Sequence, residues 1–464
     1  MEVMRKMCMA GGWLKRVAGA AAVVAAAVAG VADAYALSGV WRGSLDLGQM
    51  KLPLVFNFSE NESGVTRCTM DSPSQGAKGI PTEVTLCTAD SISLTCNSIG
   101  ASYNGRISGI LIKGTFSQRG YSFPLDLTPE DSVEERRPQT PRSPFPYTVV
   151  DTTFTAPDGA VMSATLTLPP GASGRKVPAV VMVTGSGPQN RDEELFEHKP
   201  FAVIADYLAR NGIASLRYDD RGTGKSGGSF ASATTFTFKD DALAGVGFLR
   251  SLDCIGKTGI LGHSEGGTIA FIAGAEGKVD FVVSLAGMAV SCKETLMRQN
   301  RHALDRAGMP EADKRNSLIL IEKYFDTVAD QARKGVGENI DVEALAAGCG
   351  VQVPAEIVQS LQVTQQGRNP WIDTFLTIDA RDYVANLKCP VLAVNGEKDT
   401  QVYPDNLVVV KLLAPQAETM LMPGLNHLLQ HARTGEGEEY GEIRETIAPE
   451  VLEAIAGFVN RQVK

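Results

Sequence analysis

The chain has 464 residues, 44% of them hydrophobic and 21% charged, with a formal net charge of −9. This length predicts two or three domains, and this composition is that of a globular protein rather than a disordered one. An acidic chain without runs of Lys or Arg argues against a nucleic acid or an anionic membrane surface as partner, because phosphate groups are bound by basic clusters.

Residues 1–36 are typical of a secretory signal peptide. Four basic residues precede an apolar stretch at 17–32, and Ala-Tyr-Ala at 34–36 offers a cleavage site. A membrane anchor is the alternative, but the stretch is shorter than the about 20 apolar residues that a membrane span needs. We therefore expect cleavage after residue 36, export to the periplasm or the medium, and no membrane contact by the mature chain.

The next segment, residues 37–130, has the pattern of short antiparallel strands. Runs such as LPLVFNF, SISLTC and ISGILIKGTF are separated by turns rich in Gly, Ser, Asn and Asp. We predict a small antiparallel β domain, a barrel or a sandwich, that binds a ligand or mediates association. Residues 131–147 then contain EERRPQTPRSPFPY, and this proline-rich composition predicts a stiff, extended linker.

Strands and helices alternate in residues 148–464. VPAVVMVTGSG, KTGIL and VDFVVSLAG have the pattern of buried strands, while FAVIADYLARNG and GGTIAFIAGA have that of helices. This alternation predicts a mostly parallel sheet with helices on both faces. A charged, helical stretch at about 288–381 interrupts the series and is predicted to be a helical cap, after which CPVLAVNGEKDTQV restores the strand pattern.

The chain has two G-x-S-x-G sequences, so the nucleophile could be Ser226 or Ser264. An activated serine needs a sharp strand-to-helix turn with glycine two positions away on either side. Ser264 follows a strand and begins a helix, whose N-terminus also favours the negative charge of an oxyanion. Ser226 lies in a polar loop, DDRGTGKSGGSF, which has neither element. The glycine patterns of that loop are not followed at once by a helix, so we expect no nucleotide cofactor.

The general base must come from one of five histidines, at positions 198, 263, 302, 427 and 431. In this sheet architecture the chain order is Ser, acid, His, which excludes His198. His263 adjoins the serine but points elsewhere in such a turn. His427 directly follows the strand TMLMPG, at the sheet edge where ligands bind, so we predict it as the base, with His431 as the alternative. The scattered histidines offer no zinc spacing, and no metal is expected.

The acid and the oxyanion hole are predicted from the loops that follow strands. Asp399 in VLAVNGEKD is predicted to orient the imidazole, with Glu397 as the alternative. The oxyanion hole needs two backbone N–H donors. One is expected from Glu265, directly after the nucleophile, and the other from Ser186 in VVMVTGSGP, with Gly187 as its neighbour.

In order along the chain, GSGPQNRDE, RYDDRGTGKSGG, GHSEGG, NGEKDTQV and PGLNHLLQ resemble motifs of the α/β-hydrolase superfamily. The branch they resemble is that of bacterial serine carboxylesterases related to dienelactone hydrolases and serine aminopeptidases. The resemblance covers residues 147–464, and the β domain is similar, more loosely, to accessory domains of such esterases. It implies an α/β-hydrolase fold in which DDRGTGKS is structural. Where this branch often has His-Gly in the oxyanion loop, the chain has Thr184-Gly185.

The residues and the resemblance together favour an exported serine hydrolase that cleaves small-molecule carboxylic esters through an acyl-enzyme. Ser264 would attack the carbonyl, His427 would transfer the proton and Asp399 would hold the ring. Two alternatives remain: an amide hydrolase of the serine aminopeptidase kind, and a non-catalytic protein that binds a ligand through its β domain.

Overall fold

The structure, a computed structural model, describes residues 37–46, 51–61, 65–129 and 137–462. The predicted signal peptide at 1–36 and the predicted domain boundary at 130–136 lie outside these ranges. Within them, no helix is both long and apolar enough to cross a membrane. A nine-stranded antiparallel sheet precedes residue 130, and an eight-stranded mixed sheet begins at residue 148.

The N-terminal strands form an antiparallel meander in which β1 to β8 each pair with the next. The strands are β1 (Gly39–Asp46), β2 (Lys51–Glu60), β3 (Thr66–Ser72), β4 (Ala77–Cys87), β5 (Ser91–Cys96), β6 (Ala101–Ser108), β7 (Leu111–Gln118), β8 (Tyr121–Pro124) and β9 (Thr128–Pro129). β9 pairs with β1, and Leu127 bridges to Ile112 of β7, so the sheet closes on itself as a barrel.

Alternate side chains of these strands point inward and fill the barrel, as the two-residue period of a strand requires. Phe56 and Phe58 of β2 are buried together with Tyr103 of β6. The Tyr103 hydroxyl lies 3.3 Å and 3.1 Å from the carbonyl oxygens of Ile112 and Leu125. A Cβ atom at Gly114 would lie 2.4 Å from that hydroxyl, so this strand position must be glycine for the tyrosine to fit.

The second sheet has the strand order β10-β11-β13-β12-β14-β15-β16-β17. Its strands are β10 (Thr148–Thr155), β11 (Val161–Leu168), β12 (Val177–Val183), β13 (Ala214–Tyr218), β14 (Ile255–His263), β15 (Val282–Leu285), β16 (Val391–Gly396) and β17 (Glu418–Met422). β10 and β11 are antiparallel to their neighbours, and the strands from β13 to β17 pair in parallel. All the carboxyl ends of the parallel strands therefore meet at one edge.

Eleven α-helices lie in the described part of the chain. They are α1 (Pro200–Arg210), α2 (Thr235–Arg250), α3 (Glu265–Ala275), α4 (Cys292–Arg306), α5 (Glu311–Arg333), α6 (Val342–Ala347), α7 (Ala355–Gln366), α8 (Pro370–Phe375), α9 (Ala380–Val384), α10 (Asn406–Leu413) and α11 (Pro449–Arg461). α2, α3 and α10 pack on one face of the second sheet, and α1 and α11 pack on the other. β12 is buried throughout: Val181 faces the first group, while Val180 and Met182 face the second.

Helices α4 to α9 lie between β15 and β16 in the chain and form the helical cap, which the sequence predicted at about 288–381. The cap has an apolar core of its own, built largely from α5. Side-chain contacts connect α4 to loops of the sheet domain: Arg298 forms an ion pair with Asp405 at 2.8 Å, and Nε2 of His302 lies 3.0 Å from a carboxylate oxygen of Glu436. The fold is the α/β-hydrolase architecture with a cap and a preceding β domain that the sequence predicted.

Residues 137–147, part of the predicted extended linker, lie against the second domain. Arg137 is 2% exposed, and its guanidinium donates to the carbonyl oxygens of Phe196, Gly441 and Ile443. The proline-rich composition, from which an extended linker was predicted, does not reveal that one arginine anchors the segment to the second domain. Across the boundary, the barrel contacts the loop after β12 through an ion pair between Lys78 and Glu194 at 3.1 Å.

Candidate active site

Ser264 occupies the turn between β14 and α3, with φ of 54° and ψ of −118°. This backbone conformation is strained for a residue with a side chain, and such strain is concentrated at functional sites. The turn is possible only because its neighbours are glycines: a Cβ atom at Gly262 would lie 1.9 Å from the carbonyl oxygen of Gly266, and one at Gly266 would lie 2.1 Å from that of Val183. The backbone N–H of Ser264 donates to the carbonyl oxygen of Leu285 at 2.8 Å, which holds the turn against β15.

His427 and Asp399 are paired at the same edge of the sheet, in the loops after β17 and β16. Nδ1 of His427 lies 2.8 Å from Oδ2 of Asp399. The other carboxylate oxygen, Oδ1, accepts the backbone N–H groups of Gln401 and Val402, each at 2.8 Å. Both side chains are buried, and within the described ranges Nε2 of His427 has no hydrogen-bond partner. That nitrogen is therefore available to a serine hydroxyl.

The predicted oxyanion donors lie on either side of the serine. A Cβ atom at Gly185 would lie 3.2 Å from Cβ of Ser264, so the loop after β12 passes close to the nucleophile. Across the residues that the structure describes, neither the backbone N–H of Ser186 nor that of Glu265 has an acceptor, whereas the N–H of Gly185 donates to Glu193. Two backbone donors without acceptors beside a nucleophile are what an oxyanion hole requires.

The Glu265 side chain connects the nucleophile helix to the cap. It is buried, and its two oxygens accept three donors: the hydroxyls of Ser186 at 2.6 Å and Thr235 at 2.7 Å, and the indole N–H of Trp371 in α8 at 2.9 Å. Burial raises the pKa of this carboxyl, although the three donors oppose that shift. The sequence indicated only the backbone role of Glu265, and nothing in it singled out Trp371 or Thr235.

An apolar cluster lies where the cap meets these loops. It includes Met288 after β15, Val402 beside the acid, Phe236 of α2, and Trp371 and Phe375 of α8. The rings of Trp371 and Phe375 are 4.9 Å apart. Since Trp371 also donates to the residue that follows Ser264, this cluster connects the cap to the serine turn.

Ser226, the alternative nucleophile, and the loop that contains it make structural contacts instead. The Ser226 hydroxyl donates to the carbonyl oxygen of Asp219 at 2.7 Å and accepts the backbone N–H of Ser163 at 2.9 Å. In the same loop, Arg221 forms a two-point ion pair with the buried Asp241, in line with the structural role that the resemblance implied.

The other histidines also have partners away from the nucleophile. Both ring nitrogens of His198 are 3.0 Å from oxygens, those of Thr446 and Tyr440, and burial lowers its pKa to about 4. His431 is exposed and lies beside Glu445, and the alternative acid Glu397 accepts a backbone N–H of Gly424 at 2.9 Å. Among the described residues, no group of three or more His, Cys, Asp or Glu side chains could hold a metal ion.

One buried pair, Glu193 and His263, was not predicted at all. Nδ1 of His263 is 2.9 Å from Oε1 of Glu193, and its Nε2 is 3.0 Å from the backbone carbonyl oxygen of His427. The expectation that His263 points away from the serine hydroxyl agrees with these contacts. Glu193 lies in the quoted stretch GSGPQNRDE, but its partner is 70 residues away and no local pattern connects them.

The mixed sheet, the strained serine turn and the cap together define an α/β-hydrolase. Residues 158–428 match the family described as X-Pro dipeptidyl-peptidase (S15 family), and the chain belongs to this family. It is similar to Esterase EstD of Thermotoga maritima, with 29% identity over 223 residues, which are 47% of this chain and 47% of that protein. The alignment thus spans about half the length of that curated relative.

Solved structures of esterases also resemble the chain. Est1E from Butyrivibrio proteoclasticus, with ferulic acid bound, is 20% identical, covers 67% of this chain and 99% of its own, and has a TM-score of 0.40. The Pyrococcus furiosus esterase Pf2001 is 16% identical, covers 68% of this chain and 92% of its own, and has a TM-score of 0.41. The family match and the relative EstD confirm the resemblance to the α/β-hydrolase superfamily that the motifs indicated.

Proposed function

We propose that the protein is an exported serine carboxylesterase that acts through an acyl-enzyme. The observation that carries this proposal is the arrangement at one sheet edge of the strained Ser264 turn, the Asp399–His427 pair and two backbone N–H groups that have no acceptor in the described part of the chain. These are the parts that acyl transfer to a serine needs: a nucleophile, an oriented base and preorganised donors for the oxyanion.

In the proposed mechanism, Nε2 of His427 takes the proton of the Ser264 hydroxyl as the oxygen attacks the substrate carbonyl. Asp399 holds the ring in the tautomer with the proton on Nδ1 and stabilises the imidazolium that forms. The N–H groups of Ser186 and Glu265 stabilise the tetrahedral oxyanion, and His427 then protonates the leaving alcohol. Water then attacks the acyl-enzyme while His427 takes its proton, and the return of that proton to Ser264 releases the acid.

The environment of Glu265 favours neutral acyl groups over substrates with a free amine. The family's name raises amide hydrolysis as the second candidate. Recognition of an amino terminus favours a carboxylate, because the charged amine forms a strong hydrogen bond with it. Glu265 is the carboxylate between the nucleophile and the apolar cluster, but both its oxygens are already satisfied by Ser186, Thr235 and Trp371. A buried carboxylate with three donors gains little from an ammonium group that must first lose its water.

The test is the turnover of p-nitrophenyl butyrate compared with that of Gly-Pro-p-nitroanilide and leucine-p-nitroanilide. We expect ester turnover to exceed arylamide turnover, and Ser264→Ala to lower kcat for the ester by at least about 10⁴-fold. The matched control is Ser226→Ala, in the other G-x-S-x-G sequence, which should keep its activity per folded molecule. Preferred cleavage of either arylamide would support the amide hydrolase instead, and undiminished ester turnover by Ser264→Ala would reject the assignment.

Export is proposed from the sequence of residues 1–36 alone. Expression of the full chain in a Gram-negative host, followed by mass spectrometry of the periplasmic fraction, should show a mature chain that begins at Leu37. A chain that retains Met1 would contradict this part of the proposal.

A further inference from the structure

A buried ion pair lies directly behind the proposed base. Glu193, in the loop between β12 and α1, is 5% exposed, and His263, the last residue of β14, is 7% exposed. The rings of His263 and His427 are 4.8 Å apart. Neither Glu193 nor His263 has a part in the proposed acyl transfer, and each contacts a different piece of the machinery that carries it out.

The two hydrogen bonds of His263 require a proton on both of its nitrogens when Glu193 is ionised. Its Nδ1 lies 2.9 Å from the carboxylate oxygen Oε1 of Glu193, and its Nε2 lies 3.0 Å from the carbonyl oxygen of His427. Neither of these oxygens can donate a proton when Glu193 is ionised, so both ring nitrogens must be donors. Burial by itself lowers the pKa of His263, but the Glu193 charge and the hydrogen bonds outweigh it and raise the pKa to about 9.

One carboxylate oxygen connects the two sides of the site. Oε1 of Glu193 accepts the backbone N–H of Gly185 at 2.8 Å as well as Nδ1 of His263. Gly185 precedes the proposed oxyanion donor Ser186, and the far nitrogen of His263 holds the backbone of His427. The chain of contacts therefore runs from the oxyanion loop through the ion pair to the base.

The backbone of Glu193 supports a positioning role. Its φ is 53°, in the left-handed region, although it is not a glycine. A bulky residue stays in such a conformation only when its surroundings hold it there, and these conformations are concentrated at functional sites. The contacts of its carboxylate with Gly185 and His263 are among those that hold Glu193 in this conformation.

We propose that Glu193 and His263 are positioning residues, and that the site is competent only while His263 is doubly protonated. This inference rests on the proposed esterase function. If His263 loses a proton, one of its nitrogens presents a lone pair to an oxygen, and the contact to Glu193 or to His427 breaks. The oxyanion loop and the base then lose their fixed separation, and misplacement by about 1 Å is enough to lower a rate by about 100-fold.

Other ionisable groups face this pair. Asp399, after β16, acts on His263 through its charge. His427, after β17, contacts His263 through its backbone. Asp220, after β13, interacts with Glu193, and burial raises the pKa of Asp220 to about 8. The variants below therefore change Glu193 and His263 separately.

The first variant is Glu193→Gln, which keeps the size and an oxygen for Gly185 but removes the charge that keeps His263 protonated. Rates with p-nitrophenyl butyrate are expressed per serine labelled by a fluorophosphonate, so that unfolded protein is not counted. We expect kcat to fall by about 10- to 100-fold with KM changed by less than about threefold, and the alkaline limb of the pH profile to move to lower pH. The control is Glu194→Gln, whose carboxylate contacts Lys78 on the barrel and which should leave kcat and the profile unchanged.

The second variant, His263→Gln, removes the titrating group itself. Its residual activity should show no alkaline limb near pH 9, whereas a purely structural role for His263 would lower activity equally at every pH. If Glu193→Gln does not fold, this variant decides by the same criterion. Wild-type kcat and an unshifted alkaline limb in either folded variant would overturn the positioning role. A wild-type enzyme that turns over no ester would instead overturn the proposed function, and with it this inference.

Discussion

Replacing Asp399 by Asn tests the orientation of the base, and the structure determines how the new amide must lie. Oδ1 of Asp399 accepts two backbone N–H groups, from Gln401 and Val402, each at 2.8 Å. An asparagine must keep its carbonyl oxygen at that position, because an NH₂ group there would face two donors. Its NH₂ group is then directed at Nδ1 of His427, at the position of the present 2.8 Å contact.

An NH₂ group at Nδ1 forces His427 into the wrong tautomer. Nδ1 must become the acceptor, so the proton moves to Nε2 and that nitrogen can no longer accept the proton of Ser264. The expected loss in kcat is about 10⁴-fold, or about 5.5 kcal/mol of transition-state stabilisation. The loss in folding stability should be about 1–2 kcal/mol. The two backbone hydrogen bonds are kept, and the contact that is lost is that of the Asn395 amide, which donates to Oδ2 at 3.2 Å.

The assay is the initial rate of p-nitrophenyl butyrate hydrolysis as a function of substrate concentration, with urea unfolding as the measure of stability. Glu397→Gln is the matched control, since Glu397 is the other acidic side chain of the same loop and is exposed. It should keep kcat within about twofold. An Asp399→Asn enzyme within about tenfold of wild type, or a large loss in Glu397→Gln, would refute this assignment of the acid.

Three further changes test the serine turn, the Arg221–Asp241 ion pair and the buried His198. Gly266→Ala places a Cβ atom 2.1 Å from the Val183 carbonyl oxygen and should lower the free energy of unfolding by at least about 3 kcal/mol, so a wild-type urea midpoint would contradict the tight turn. Arg221→Met leaves the buried Asp241 without its partner and should cost about 3–5 kcal/mol in the same assay; a cost under 1 kcal/mol would show that the pair is dispensable. Burial lowers the pKa of His198 from its ordinary value of 6.5 to about 4, so folding favours its neutral form. The contribution of neutral His198 to the free energy of unfolding is complete above pH 6.5 and should fall by about 3 kcal/mol as the pH drops to 4. It is measured as the free energy of unfolding of wild type minus that of His198→Gln at each pH. A difference that does not change with pH would contradict the lowered pKa.

The serine turn could be predicted because its determinants are local. The serine lies between two glycines, and the strand before it and the helix after it fall within about twenty residues. The close approach of Gly262 to Gly266 also lies within that stretch. Asp399 and His427 could be predicted from the ends of parallel strands, since those ends meet at one edge.

The contacts around the site could not be predicted, because they join distant segments. Trp371 reaches Glu265 across 106 residues, and Glu193 reaches His263 across 70. Closure of the N-terminal sheet is equally non-local: whether it forms a barrel or a sandwich depends on the pairing of β1 with β9. Arg137 likewise donates to carbonyl oxygens that are 59 to 306 residues away along the chain.

The most direct test of the account is covalent labelling of the native enzyme with a fluorophosphonate, followed by mapping of the modified peptide. The account predicts one adduct per chain, on the peptide that contains Ser264, and no adduct in Ser264→Ala. An adduct on Ser226, or a folded enzyme that hydrolyses esters and is never labelled, would contradict it.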